Sequence, residues 1–276
     1  MPYVTANGLE LYYEIEGDAG APPLLLISGL GGDHRGWQTL VSRLRSSYRV
    51  ITFDNRDVCL SQRVEAPYAI ADMATDTAGL LDALGLTKAH VLGLSMGGAI
   101  AQELAISFPN LVDRLVLLAT YTAGDPRGDA LFRGFASMRR MVPREDYLRF
   151  TLPWIYTHQE YHLPNFIEGL LKDRLEDPLY QEDDAYERQM EATIAFQSRG
   201  RLDRISCPTL LVFGEEDNMT PMRFARELVR DIKDARLVIL EGAGHGFART
   251  RFRETAALVD GFLSYGAGRS DLGSQP

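Results

Sequence analysis

The sequence predicts an α/β protein whose centre is a doubly wound parallel sheet. Three features carry that prediction: short uninterrupted apolar runs recur, helical patterns alternate with them, and glycine-rich segments follow several of the runs. A strand buried on both faces needs apolar residues at every position, whereas a strand with one wet face alternates. Strand–helix–strand order then places helices on both sides of the sheet.

The elements follow in order. Val4–Thr5 and Leu9–Glu16 read as a hairpin, with Asn7-Gly8 as its turn signal and alternation through Leu11-Tyr12-Tyr13-Glu14-Ile15. Leu24-Leu25-Leu26-Ile27 is a continuous apolar run that ends at Gly29-Leu30-Gly31-Gly32. Trp37–Leu44 has helical spacing, and Arg49–Phe53 is the next strand. Ile70–Leu84 carries apolar residues at helical intervals and stops before Gly85, where a helix C-terminus favours glycine. His90–Gly93 is a strand, Met96–Phe108 a helix halted by Pro109, and Leu115–Leu118 a strand.

From 124 to 200 no convincing strand occurs. Aromatics, methionines, arginines and carboxylates crowd this stretch, which reads as several helices forming an inserted cap between core segments 1–123 and 201–265. The sheet resumes at Thr209–Phe213. A helix at Arg223–Asp231, a strand at Arg236–Leu240 and a helix at Arg251–Tyr265 complete it, and the small, polar tail 266–276 reads as disordered.

A chain of 276 residues suits one large α/β domain with an insertion, long enough to bury a core without staples. The net charge of −9 argues against nucleic acid and against an anionic membrane surface as partners. Two widely spaced cysteines form no disulfide framework, and no Cys/His cluster at zinc spacing calls for a metal or any other cofactor. The N-terminus lacks a signal-peptide layout and no apolar run approaches the roughly 18 residues of a membrane span, so the expected location is the cytoplasm. Oligomeric state is not legible.

Gly93-Leu94-Ser95-Met96-Gly97 matches G-x-S-x-G between a predicted strand and a predicted helix. So sharp a turn strains the serine backbone, lifts its oxygen clear of the sheet, and sets the Met96 N–H at a helix N-terminus where it can donate to an anion. A serine hydroxyl needs a base, and the base needs an acid to fix its tautomer. Of the five histidines, His245 in Gly242-Ala243-Gly244-His245-Gly246 follows the last strand at the carboxyl edge of the sheet. Asp217 in Gly214-Glu215-Glu216-Asp217 follows the preceding strand and is the acid of choice. Glu215 and Glu216 read as solvated loop charges.

With these residues in family order, the chain resembles the α/β-hydrolase family from about Tyr3 to Tyr265. The resemblance implies an eight-stranded, mostly parallel sheet flanked by helices, with a helical cap inserted after the sixth strand. Ser28-Gly29-Leu30-Gly31-Gly32 resembles the family's oxyanion loop, with Ser28 where histidine is usual. The backbone N–H of Leu30 is thereby implied as the partner of that of Met96. Asp54-Asn55-Arg56-Asp57-Val58-Cys59-Leu60-Ser61 resembles a D-x-R-G-x-G-x-S segment, departing at Asp57 and Cys59, where glycines are common. If those positions need positive φ, Cys59 costs about 1 kcal/mol or more; Cys59 itself reads as packing. A serine elbow argues against the dehalogenase and epoxide-hydrolase branches, which place aspartate there.

The expected activity is hydrolysis of a small carboxylic ester through an acyl-enzyme. Lactone hydrolysis is the alternative, since Gly29–Gly32 with Asp33-His34 resembles enol-lactone hydrolases; carbon–carbon bond hydrolysis can use the same triad. From a different class, a small-molecule receptor on this fold would bind without repeated turnover. His34, Phe135, Met138 and Trp154 are the candidate substrate contacts, and cap aromatics favour an apolar or aromatic substrate. Arg127, Arg133, Arg139 and Arg140 either grip a substrate carboxylate or form a solvated helix face.

Overall fold

The computed structural model describes residues 2–264, so the expected disorder of 266–276 and the end of the last helix at Tyr265 lie outside the described residues. Its strands are β1 (Tyr3–Ala6), β2 (Leu9–Glu16), β3 (Pro23–Ile27), β4 (Arg49–Phe53), β5 (Ala89–Leu94), β6 (Val112–Leu118), β7 (Thr209–Gly214) and β8 (Ala235–Leu240). They form one eight-stranded sheet in the order β1-β2-β4-β3-β5-β6-β7-β8. Both pairings of β2, to β1 and to β4, are antiparallel, and every other pairing is parallel. Helices α1 (Gln38–Leu44), α2 (Ile70–Ala83) and α3 (Met96–Ser107) lie among the first six strands in sequence. Next come α4 (Pro126–Met141), α5 (Arg144–Ile155), α6 (His158–Tyr161), α7 (Phe166–Leu175) and α8 (Asp183–Ala195), all between β6 and β7. Helices α9 (Met222–Asp231), α10 (Phe247–Thr250) and α11 (Phe252–Ser264) close the chain.

The uninterrupted apolar runs are explained by burial on both faces. Leu25 and Ile27 of β3 enter one core with Val91, Leu115, Leu117, Leu211 and Phe213, packed against α2, α3 and α9. Leu24 and Leu26 enter the other with Leu92, Val116, Leu118, Leu210 and Val212, packed against α1 and α11. Alternate side chains leave the strand on opposite sides, so both sets must be apolar. Each leucine buried this way contributes about 2 kcal/mol of transfer free energy.

Helices α4–α8 form the cap. Asp125 starts α4 by accepting from the Gly128 N–H at 2.8 Å, with Pro126 in the first turn. A single antiparallel bridge between Ala123 and Gln197 closes the base of the insertion. The final helix α11 begins within one residue of the expected start at Arg251; the short helix α10 before it was not expected. Between the two, the Arg251 side chain turns back to donate to the Glu241 carbonyl at 2.7 Å. No helix among the described residues is long and apolar enough to cross a membrane.

Candidate active site

Ser95 joins β5 to α3 with φ 56° and ψ −118°, a conformation that costs a non-glycine residue about 1–3 kcal/mol. Neighbouring backbone holds it there. Ser95 donates its N–H to Leu118 O at 2.9 Å, and its carbonyl accepts from Gly98 N at 2.9 Å and Thr120 Oγ1 at 2.8 Å. The flanking glycines are dictated by space. A Cβ on Gly97 would stand 2.0 Å from the Ile27 carbonyl oxygen, and one on Gly93 would stand 2.2 Å from that of Gly97. Both obstacles are backbone and cannot rotate away. Gly97→Ala is therefore expected to cost about 4 kcal/mol or more, read from urea unfolding; a stability within 1 kcal/mol of wild type would contradict this packing.

The Gly98 and Ala99 N–H groups take the Ser95 carbonyl, leaving Met96 and Gly97 with the leading donors of α3. Gly29 packs against the serine, where a Cβ would come within 3.2 Å of Ser95 Cβ. Ser28, the residue that stands where histidine is usual, braces this loop. Its hydroxyl accepts from Trp37 Nε1 at 2.7 Å and donates to Asp33 O at 3.2 Å. Leu30 follows and lines the cavity in front of Ser95.

His245 lies in the loop between β8 and α10, and its Nδ1 is 2.8 Å from Asp217 Oδ2. The Asp217 side chain is fully buried just beyond β7. Its Oδ1 accepts from the Met219 and Thr220 N–H groups, each at 2.8 Å, and its Oδ2 also accepts from Thr220 Oγ1 at 2.6 Å. Burial alone would raise this carboxyl's pKa, but the imidazole and the Thr220 donors outweigh burial and hold it below the usual aspartate range. An ionised carboxylate only accepts, so Nδ1 of the neutral ring carries the proton and Nε2 keeps its lone pair. The glycines around His245 admit the cap. Gly246 N donates to Ile155 O at 2.9 Å, and a Cβ on Gly246 would meet the Tyr156 ring at 2.4 Å.

Ser95 and His245 line one cavity of about 280 Å³, roofed by Phe132, Phe135, Leu148, Leu152 and Leu170 of the cap. Among the hydrogen bonds of the described residues, none joins Ser95 Oγ to His245 in this conformation. Such contacts commonly tighten only with substrate bound.

Of the four candidate substrate contacts, Phe135 lines this cavity. The other three do not line it. Trp154 and Met138 pack in the same cap cluster as Phe135, Trp154 edge-on to Phe135 at 6.1 Å, and Trp154 borders a separate cavity with Tyr156 and Gly244. His34 turns away at the end of the glycine loop. Its Nδ1 lies 2.8 Å from Asp54 Oδ1, which also accepts the His34 N–H at 2.8 Å.

Burial would lower the His34 pKa, but the hydrogen bond and charge of Asp54 win and raise it. A raised histidine pKa stabilises the fold fully below the unfolded value of about 6.5 and loses that contribution as pH rises through the folded value. The gap in unfolding free energy between wild type and His34→Gln should therefore be wider at pH 5.5 than at pH 9. A gap independent of pH would remove the Asp54 pairing as its cause.

Asp57 and Cys59 both have positive φ, 67° and 48°, so the strain expected of these departures is present. Asp57 has compensation: its carboxylate accepts from Val64 N at 2.9 Å and from Arg188 of α8 at 2.8 and 3.0 Å. Cys59 has a thiol pKa pushed up to about 12, first by burial and then by Asp54 and Asp33, which keeps it a thiol. His34, Asp54 and Cys59 bring potential ligand atoms within 4.8 Å of one another. Asp54 Oδ1 already accepts twice from His34 and Oδ2 accepts from Leu60 N at 3.2 Å, so this cluster reads as a structural lock.

The cap arginines mostly satisfy the solvated reading. Arg133 pairs with Glu191, and Arg140 with Asp184 and Glu187, on the outer surface; Arg127 is exposed but donates to the Asn218 carbonyl at 3.4 Å and borders a second cavity that Ser95 also lines. Arg139 instead turns inward, donates to Asp183 and Tyr180, and stacks on Tyr180 and Tyr186.

Sequence reasoning missed Gln189, which is fully buried on α8. Its Oε1 accepts the Gly31 N–H at 3.1 Å, so a cap residue fixes the loop that carries Leu30. The one available signal is the stripe Ala185, Gln189, Thr193, in which a glutamine occupies an inward position. Arg35 adds a second tie, gripping Asp177 at 2.8 and 3.0 Å.

The family model described as alpha/beta hydrolase fold matches residues 22–248. The chain belongs to the α/β-hydrolase family. A relative from Azorhizobium caulinodans, described as a candidate carbamate hydrolase RutD, is 31% identical over 90% of this chain and 92% of its own. A second RutD relative, from a Caulobacter species, is 28% identical over 94% and 97%. The crystal structure of an enol-lactonase from Burkholderia xenovorans superposes with a TM-score of 0.86 at 28% identity, covering 95% of this hydrolase and 100% of that chain. The chain is thus a hydrolase of this fold.

Proposed function

We propose that this hydrolase cleaves small carboxylic esters through an acyl-enzyme formed on Ser95. The observation that carries the reading is the placement of a strained elbow serine and an Asp217-held imidazole on the wall of one cavity. In the first half-reaction Ser95 Oγ attacks the acyl carbon while His245 Nε2 takes its proton. The Leu30 and Met96 N–H groups receive the developing oxyanion, and the imidazolium returns the proton to the departing alcohol. Water then repeats the sequence on the acyl-enzyme and frees the acid. A cavity near 280 Å³ lined by leucines and phenylalanines suits a small substrate with an apolar portion.

A fluorophosphonate probe is expected to add its mass to the peptide bearing Ser95, and p-nitrophenyl acetate is expected to turn over many times per chain. Absence of labelling would overturn the assignment, and a single burst without turnover would favour a receptor. The enol-lactonase neighbour favours a lactone as a second reading, and the RutD relatives favour a carbamate. A lactone tethers the leaving oxygen to the acyl part and a carbamate puts nitrogen on the carbonyl carbon; in each the attack of Ser95 Oγ on that carbon is the same. Comparing kcat/KM across matched ester, lactone and carbamate substrates ranks the three.

A further inference from the structure

We propose that the substrate carries a carboxylate and that Arg174 and Arg249 hold it at the mouth of the cavity. The proposal rests on the Ser95 reading and specifies the substrate class for that site. Among the described residues the charged side chains lining the cavity are Arg139, Arg174 and Arg249, with His245 as a further basic group and no aspartate or glutamate. In a chain of net charge −9 this is a local inversion of sign. It creates a field that attracts anions and gives a neutral substrate nothing.

The arginines differ in how far their donors are already used. Arg139 is occupied by Asp183, Tyr180 and the Gln181 carbonyl and sits among tyrosine rings, so it knits α4 to α8. Arg174, half-buried in the last turn of α7, forms no hydrogen bond or ion pair among the described residues; the nearby carboxylate of Asp177 is already taken by Arg35. Arg249 comes from the opposite wall, in α10 just beyond His245, and its nearest carboxylate oxygen, on the exposed Asp173, is 3.9 Å away.

One guanidinium thus belongs to the cap and one to the core. Arg249 reaches to within 3.9 Å of Asp173, the residue before Arg174 on α7, and both arginines line the cavity, which puts them at the same end of it. A guanidinium fork matches a carboxylate with two parallel hydrogen bonds. A carboxylate is also the smallest such anion, leaving the remaining volume to the acyl chain.

The test compares mono-p-nitrophenyl esters of succinate, glutarate and adipate with their methyl-capped neutral counterparts, in wild type and in Arg174→Gln/Arg249→Gln. For at least one chain length, wild type is expected to favour the acid by about tenfold or more in kcat/KM. That preference should shrink with added salt and fall to about one in the double variant. A wild-type ratio near one at every length overturns the clamp, and a preference that survives in the double variant removes it from these arginines. Calorimetry on Ser95→Ala, titrated with monomethyl and dimethyl glutarate, reads binding apart from chemistry. Tighter binding of the monoanion, lost when both arginines are replaced, upholds the clamp even if no ester is hydrolysed. Equal binding of the two overturns it while leaving the Ser95 reading to the labelling experiment.

Discussion

Replacing Ser95 with alanine is expected to lower kcat for p-nitrophenyl acetate by about 10⁶-fold, to the level set by the remaining donors and binding contacts. Replacing it with glycine should abolish turnover equally and stabilise the fold. Its φ of 56° with ψ −118° is a conformation that glycine adopts without strain. Relief of about 1 kcal/mol, after allowing for the extra freedom of glycine in the unfolded chain, raises Tm by roughly 2–4 °C for a chain of this size. Alanine keeps the Cβ and with it the strain, so it serves as the control for stability. Kinetics and calorimetric melting on the three proteins check both halves. Retained turnover would remove Ser95 as nucleophile, and a glycine variant that melts lower than alanine would show that the turn is relaxed.

How much of this was legible in the sequence depends on whether each feature is local. The runs at Leu24–Ile27 and Thr209–Phe213 report burial on both faces, and a motif such as Gly93–Gly97 fixes a turn through residues that touch one another. Those features need no knowledge of the rest of the chain. The ties between cap and core were illegible because each partner is ordinary in its own neighbourhood. Gln189 is one polar residue on a helix with other polar residues, and its meaning lies in Gly31, far away in sequence.

Arg188 and Asp57 show the same thing from the other side. The departure at Asp57 was visible as a missing glycine, but its compensation by a cap arginine was not. The substrate contacts were less legible for a related reason. An aromatic on an amphipathic helix points inward, and which cavity it then borders is set by the neighbouring helices. Phe135 and Trp154 belong to one cluster, yet Phe135 borders the cavity of Ser95 and Trp154 a separate one.

Asp217→Asn is expected to lower kcat by about 10⁴-fold with little change in shape, and the hydrogen-bond inventory says why. Oδ1 accepts two backbone N–H groups, from Met219 and Thr220, so the amide of asparagine must keep its oxygen there. Its NH₂ then takes the place of Oδ2, facing Thr220 Oγ1 and His245 Nδ1. The threonine hydroxyl can turn to accept, but the imidazole must present a lone pair at Nδ1. Its proton moves to Nε2, the nitrogen that would receive the proton of Ser95. Asp217→Ala loses the same activity and also strands the donors, so it should be less stable than asparagine by about 1–3 kcal/mol.

The stability that the Asp217 carboxylate confers has its own pH signature. Its folded pKa lies below the unfolded value of about 3.9, so the contribution is complete above that value and disappears as pH falls through the folded pKa. Urea unfolding should therefore separate wild type from Asp217→Asn near pH 7 and bring them together near pH 2. An asparagine variant within tenfold of wild-type kcat would mean that the imidazole takes its orientation from elsewhere, with Thr220 Oγ1, 3.5 Å from Nδ1, the group left to supply it.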